Sequence, residues 1–107
     1  MTQQATKVVI VTEEVIMKGI VKIIEDAGVH GYTVLPARGK GSHNMRSSSE
    51  PSVSTDFTNV QIEAIVSDRE IGQRIVDAVA EKYFENYAGI VYLTQVEVLR
   101  SEKFKSS

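Results

Sequence analysis

Residues 7–12 read Lys-Val-Val-Ile-Val-Thr, and this short run decides the fold. Four consecutive β-branched apolar residues favour an extended strand. Val8 and Ile10 belong to one side of that strand, whereas Val9 and Val11 belong to the other. An antiparallel sheet with one solvated face should alternate apolar and polar residues. The strand is therefore expected to lie in a sheet that is covered on both faces.

Outward from this strand, the pattern predicts the order β-α-β-loop-β-α-β. Thr12 is placed to cap a first helix, which should end at Gly28, and Ser67 with Glu70 matches a capping box for a second helix. Both helices show apolar stripes at helical spacing: Ile16, Ile20, Ile23 and Ala27, then Ile71, Ile75, Ala78 and Val79. The further strands are predicted at residues 31–37, 58–66 and 89–99, with Pro36 indicating an edge strand or the end of a strand.

This order is that of the ferredoxin-like α+β fold, in which both helices cover one face of an antiparallel sheet. The fourth strand is also apolar on both faces, with Ile90 and Tyr92 on one side and Val91 and Leu93 on the other. Because two helices can cover only one face, we expect copies of the same chain to bury the other. The protein is therefore predicted to be an oligomer.

Length and composition narrow the possible functions. The chain has 107 residues, which is typical of one domain, and a formal net charge of −2, which argues against non-specific binding of nucleic acid. The absence of cysteine excludes disulfides and thiolate metal sites. Neither a signal-peptide run nor a membrane-spanning stretch is visible, so we expect a cytoplasmic protein.

Residues 38–46, Arg-Gly-Lys-Gly-Ser-His-Asn-Met-Arg, reverse the sign of charge locally and contain no acid. Glycines allow close approach of a backbone to a ligand, and the cations form charge-assisted hydrogen bonds to phosphate. The segment differs from a P-loop because Lys40 precedes Gly41-Ser42. By itself it predicts either an anion site for a nucleotide phosphate or a solvated basic loop. In an anion site, Arg46 would be the main contact and Lys40 a contact to a second or third phosphate.

Several motifs together are similar to those of PII-like signal-transduction proteins of the SbtB type, which are cyanobacterial regulators of bicarbonate uptake. The resemblance extends from the first residues to about residue 99. The motifs are Val-Val-Ile-Val-Thr-Glu at 8–13, Gly-Tyr-Thr-Val at 31–34, Gly-Lys-Gly-Ser at 39–42 with Asn44 and Arg46, Lys-Tyr-Phe at 82–84 and Tyr-Ala-Gly-Ile at 87–90.

The resemblance implies a PII-like homotrimer with adenine nucleotides (cyclic AMP, AMP, ADP or ATP) in the clefts between subunits. Residues 38–57 would be the T-loop, which contacts the effector, and residues 82–89 the B-loop, which contacts the nucleotide. Residues 100–107 would form a flexible tail of the single domain 1–107. The implied partner is the membrane bicarbonate transporter SbtA, which would recruit the cytoplasmic protein reversibly to the inner membrane.

The expected nucleotide-binding residues come from the second strand, the T-loop, the B-loop and the fourth strand. Tyr87 could either stack on a purine or act as a buried aromatic anchor. His43 stands where members of the family often carry arginine, which could alter polyphosphate affinity. The complete set is Thr33, Leu35, Gly39, Lys40, Gly41, Ser42, His43, Asn44, Arg46, Tyr87, Gly89, Ile90 and Tyr92.

A non-enzymatic sensor without a permanently bound cofactor is the favoured hypothesis. The alternative is a weak, apyrase-like ATP/ADP hydrolase, although the sequence offers no clear general base. The sequence lacks the aromatic signature of RNA-binding modules. A trimeric protein of the CutA type would share the fold but would not explain the basic glycine segment at residues 38–46. His30 and His43 have no neighbours at metal-ligand spacing, so a divalent ion is expected only as a companion of ATP phosphates.

Overall fold

The computed structural model describes residues 1–38 and 58–99. In chain order, the strands and helices are β1 Gln3–Glu13, α1 Met17–Asp26, β2 Tyr32–Ala37, β3 Asn59–Val66, α2 Arg69–Tyr83 and β4 Gly89–Val98. A 3₁₀ turn, Glu14–Ile16, connects β1 to α1. This order confirms the predicted βαββαβ fold.

The four strands form one antiparallel sheet in the order β2-β3-β1-β4. The apolar run at residues 7–12 therefore lies in a central strand, while β2 and β4 are the edges. Pro36 lies in the edge strand β2, as expected for a residue that has no N–H to donate. Among the described residues, no helix is long and apolar enough to span a membrane.

Residues that pair across the strands share a face, so the register defines which side chains meet the helices. Ile10 pairs with Ile62 of β3 and Val91 of β4, and all three belong to the face under α1 and α2. The buried core consists of Val8, Ile10, Ile16, Ile20, Ile24, Val29, Val60, Ile62, Ala64, Val66, Ile75 and Val79. Burial of these side chains holds both helices on one side of the sheet.

The stripe predicted for the first helix was partly wrong. Ile20 and Ile24 are fully buried, whereas Ile23 and Ala27 are only partly buried. Ile23 and Ala27 instead line a groove of about 310 Å³ between α1 and α2, together with Ile75 and Ala78. A spacing of four along a helix keeps Ile24 below Ile20, so Ile24 meets the sheet and Ile23 turns toward the neighbouring helix.

Two predicted caps were also wrong. Asp68, not Ser67, is the N-cap of α2, since its carboxylate accepts a hydrogen bond of 3.0 Å from the Glu70 amide. Thr12 is a buried residue of β1 and does not cap α1. The stop at Gly28 is confirmed: α1 ends at Asp26, and Gly28 adopts a φ of 89°, which a residue without Cβ tolerates.

Candidate functional site

The sheet face opposite the helices, called the open face below, is not covered by α1 or α2. Its four strands contribute Thr33 and Leu35 (β2), Gln61 and Glu63 (β3), Val9 and Val11 (β1), and Ile90 and Tyr92 (β4). Leu35 is 46% exposed, Ile90 59% and Tyr92 46%. Such a group of exposed large apolar side chains is typical of a surface that another molecule covers.

A polar strip runs along the middle of the open face, which the sequence analysis did not predict. Lys7 Nζ lies 3.7 Å from Glu63 Oε1, and Gln61 Nε2 donates a hydrogen bond of 2.6 Å to Glu63 Oε2. The two apolar faces were predicted for β1 and β4, whereas β3 alternates and places Gln61 and Glu63 on the open face.

Four of the predicted site residues lie on the open face, but at opposite edges of the sheet. Thr33 and Leu35 belong to β2, whereas Ile90 and Tyr92 belong to β4. With strands about 4.8 Å apart, the two edges are separated by about 14 Å. A single chain therefore does not bring the β2 pair and the β4 pair together.

Seven further predicted residues lie outside the described residues, and their roles stay predictions: Gly39, Lys40, Gly41, Ser42, His43, Asn44 and Arg46. The segment that contains them leaves from the end of β2 and returns at the start of β3. At the point of return, the Glu14 amide donates a hydrogen bond of 2.9 Å to the Thr58 carbonyl. The return point of this segment, at residue 58, is thus attached to the turn that follows β1.

The turn between α2 and β4 is built on the last turn of the helix. The amides of Asn86 and Tyr87 both donate to the Tyr83 carbonyl, at 3.1 and 2.9 Å. The Tyr87 ring meets the Tyr83 ring edge to face, with centroids 6.2 Å apart, and it packs against the core. A contact of Tyr87 with a purine stays a prediction.

The end of β1 holds the last residue of this turn by both of its backbone groups. Thr12 Oγ1 donates a hydrogen bond of 2.8 Å to the Ala88 carbonyl. The Ala88 amide donates one of 2.7 Å to Glu13 Oε2. The next residue, Gly89, pairs with Thr12 across the sheet. A Cβ at Gly89 would lie 2.8 Å from both the Phe84 ring and Thr12 Oγ1, so only glycine fits without rearrangement.

Sequence reasoning missed Thr12 and Glu13, which were interpreted as the start of the first helix. Their contacts with Ala88 span 76 and 75 residues. Only the antiparallel pairing of β1 with β4 brings them together, and no local pattern reports that pairing.

The described part of the chain contains no cluster of three or more His, Asp or Glu side chains that could hold a metal ion. The groove between α1 and α2 lies on the helix side, away from the open face, and none of the predicted site residues lines it. The described residues therefore offer a partly apolar sheet face with predicted site residues at both of its edges.

Comparison with known proteins agrees with this geometry. The family model described as nitrogen regulatory protein P-II matches residues 5–103. A PII-like signaling protein from Thermus thermophilus is 34% identical, with a TM-score of 0.76, and the match covers 96% of this chain and 97% of that one.

CPII from Thiomonas intermedia is a second similar structure, solved with different ligands. In the form bound to ADP, AMP and acetate, it is 26% identical with a TM-score of 0.76, and 97% of each chain is covered. In the form bound to ADP and bicarbonate, the identity is 26% and the TM-score 0.75, with 94% of this chain and 93% of that one covered.

Proposed function

This chain belongs to the PII family of signalling proteins, and on that premise we propose that it binds adenine nucleotides in clefts between the subunits of a homotrimer. A homotrimer fits this family. CPII, which is similar over nearly the whole chain, binds ADP and AMP. The same class of ligand is therefore the first candidate for this protein.

The observation that carries the proposal is the division of the open face into two half-sites. Thr33 and Leu35 lie at the β2 edge and Ile90 and Tyr92 at the β4 edge, about 14 Å apart by strand spacing. In a cyclic assembly, the β2 edge of one subunit meets the β4 edge of the next. Each cleft then contains one half-site from each neighbour, and burial of the exposed apolar side chains stabilises the assembly.

The phosphate end of the nucleotide is assigned to residues 39–46, which continue from the β2 edge. Arg46 is the main phosphate contact in this proposal, and the amide of Gly41 and hydroxyl of Ser42 assist it. Lys40 and His43 contact the β- and γ-phosphates of ATP, which cyclic AMP lacks. Gly89 allows the backbone of the neighbouring subunit to approach the base or ribose.

We further propose a sensor of the SbtB type, without enzymatic activity. Nucleotide occupancy changes the T-loop, and the T-loop contacts the bicarbonate transporter SbtA at the inner membrane. A ligand shifts a protein between conformations only through contacts that differ between those conformations. Cyclic AMP and ATP therefore act oppositely on the T-loop, since only ATP presents β- and γ-phosphates to it. Binding of bicarbonate by CPII supports a connection with inorganic carbon.

Calorimetric titration with cyclic AMP, AMP, ADP and ATP tests the nucleotide site. A hydrogen bond to a charged group contributes on the order of 1.5–3 kcal/mol, so Arg46→Ala should weaken binding by about tenfold or more. Arg74→Ala is the matched control, because Arg74 is exposed on α2, away from the open face. Equal affinity of Arg46→Ala and the wild type would contradict the assigned role of Arg46, and absence of binding by the wild type would refute the site.

Two further measurements separate the finer proposals. Phosphate release from ATP and ADP should equal that of a control without protein; release that Arg46→Ala abolishes would instead favour the hydrolase.

Co-sedimentation with SbtA proteoliposomes should depend on the nucleotide supplied. The same protein incubated with empty liposomes is the control, and equal binding to both would refute the transporter as partner.

A further inference from the structure

Three hydrogen bonds connect residues 12–14 to the two loops that frame the proposed site. Thr12 Oγ1 and Glu13 Oε2 bind the carbonyl and the amide of Ala88, and the Glu14 amide binds the Thr58 carbonyl. We infer that Thr12 and Glu13 are positioning residues of the nucleotide site, and that residues 12–14, called the β1 clamp, couple the B-loop to the root of the T-loop. This inference rests on the proposed function.

The contacts to Ala88 restrain the backbone of the turn rather than a mobile side chain. Thr12 is 2% exposed, and the bond from Ala88 to Glu13 is short and charge-assisted. Gly89 then lies between the Phe84 ring and Thr12 Oγ1 with no room for a Cβ. Ala88 therefore cannot move without moving Gly89, which is the proposed point of close approach to the ligand.

The clamp also provides a short route from one loop to the other. Glu13 holds the B-loop through its side chain, and the next residue, Glu14, holds Thr58 through its amide. A displacement of Ala88 by a ligand thus reaches the T-loop root through two adjacent residues of the chain. The residue in the middle of this route is held in the sheet, because β1 is paired to β3 up to Glu13 and Asn59.

The test compares Glu13→Ala, Glu13→Gln and the control Glu14→Ala. Glu14 is exposed, so its alanine variant removes the same charge one residue away and keeps the amide that binds Thr58. In nucleotide-free protein, Glu13→Ala should accelerate hydrogen exchange of the Ala88 and Glu14 amides by about tenfold. Glu13→Gln retains a carbonyl acceptor, so it should restore most of the protection, and Glu14→Ala should leave the Ala88 amide unchanged.

Calorimetry with ADP gives the functional half of the test. Glu13→Ala should weaken ADP binding by several-fold, whereas Glu13→Gln should bind almost as the wild type does. If Glu13 acted only through its charge, Glu13→Ala would instead strengthen ADP binding, since it removes a carboxylate near an anionic ligand. Tighter or unchanged ADP binding by a folded Glu13→Ala variant would therefore overturn the positioning role.

The remaining outcomes also decide the inference. If exchange of Ala88 is unchanged in Glu13→Ala, the hydrogen bond does not restrain the turn and the clamp is refuted. If only Ala88 responds and the Glu14 amide does not, the coupling to Thr58 is refuted. If the wild type binds no adenine nucleotide, the proposed function and the positioning role fail, while amide exchange still decides whether the clamp couples the two loops.

Discussion

Replacement of Ile90 by serine should dissociate the assembly without unfolding the subunit. Ile90 is the most exposed of the large apolar side chains on the open face, at 59% in the single chain. Complete burial of such a side chain contributes about 1.5–3 kcal/mol, so roughly 1–2 kcal/mol is still to be gained when a second subunit covers it. The single subunit should lose less than the assembly, because more than half of Ile90 is exposed there.

A trimer contains three copies of this contact, so Ile90→Ser should make the free energy of trimer assembly less favourable by about 3–6 kcal/mol in total. The dissociation constant of the trimer then rises by roughly 10²–10⁴. Light scattering and sedimentation over a dilution series measure this shift directly. Thermal unfolding of the dissociated subunit shows whether the fold is intact.

Val15→Ser is the matched control for Ile90→Ser. Val15 is 75% exposed but lies in the 3₁₀ turn after β1, outside the open face. Its replacement removes a similar apolar area and should leave the mass of the assembly unchanged. The reasoning is refuted if Ile90→Ser keeps the wild-type mass at every dilution, or if both variants dissociate to the same extent.

Two stability predictions concern the subunit itself. Gly89→Ala should lower the free energy of unfolding by about 1–3 kcal/mol, because the added Cβ would press on the Phe84 ring. Gly31→Ala is the control and should be nearly neutral, because a Cβ there meets open space. Equal effects of the two variants in chemical denaturation would contradict the packing argument. Asp68→Ala should cost about 0.5–2 kcal/mol through loss of the cap on the Glu70 amide, and an unchanged denaturation midpoint would show that this cap contributes nothing.

Much of the fold and part of the site could be predicted because their signals are local. The apolar run at residues 7–12 indicated a strand with two apolar faces, and Pro36 indicated an edge strand or the end of a strand. The period of two along the fourth strand assigned Ile90 and Tyr92 to one face, which the register confirms as part of the open face. The period of two in a strand carries this information without any knowledge of its neighbours.

The contacts that hold the site together were decided only by the tertiary structure. Thr12 and Glu13 were interpreted as the start of a helix, since serine, threonine and acidic residues are common there. Antiparallel pairing of β1 with β4 instead places both beside Ala88, and β3 brings Glu63 toward Lys7. A single chain thus specifies its strands and their faces by local periodicity. Which polar side chain meets which backbone group depends on pairings between distant segments, and these form only when the sheet closes.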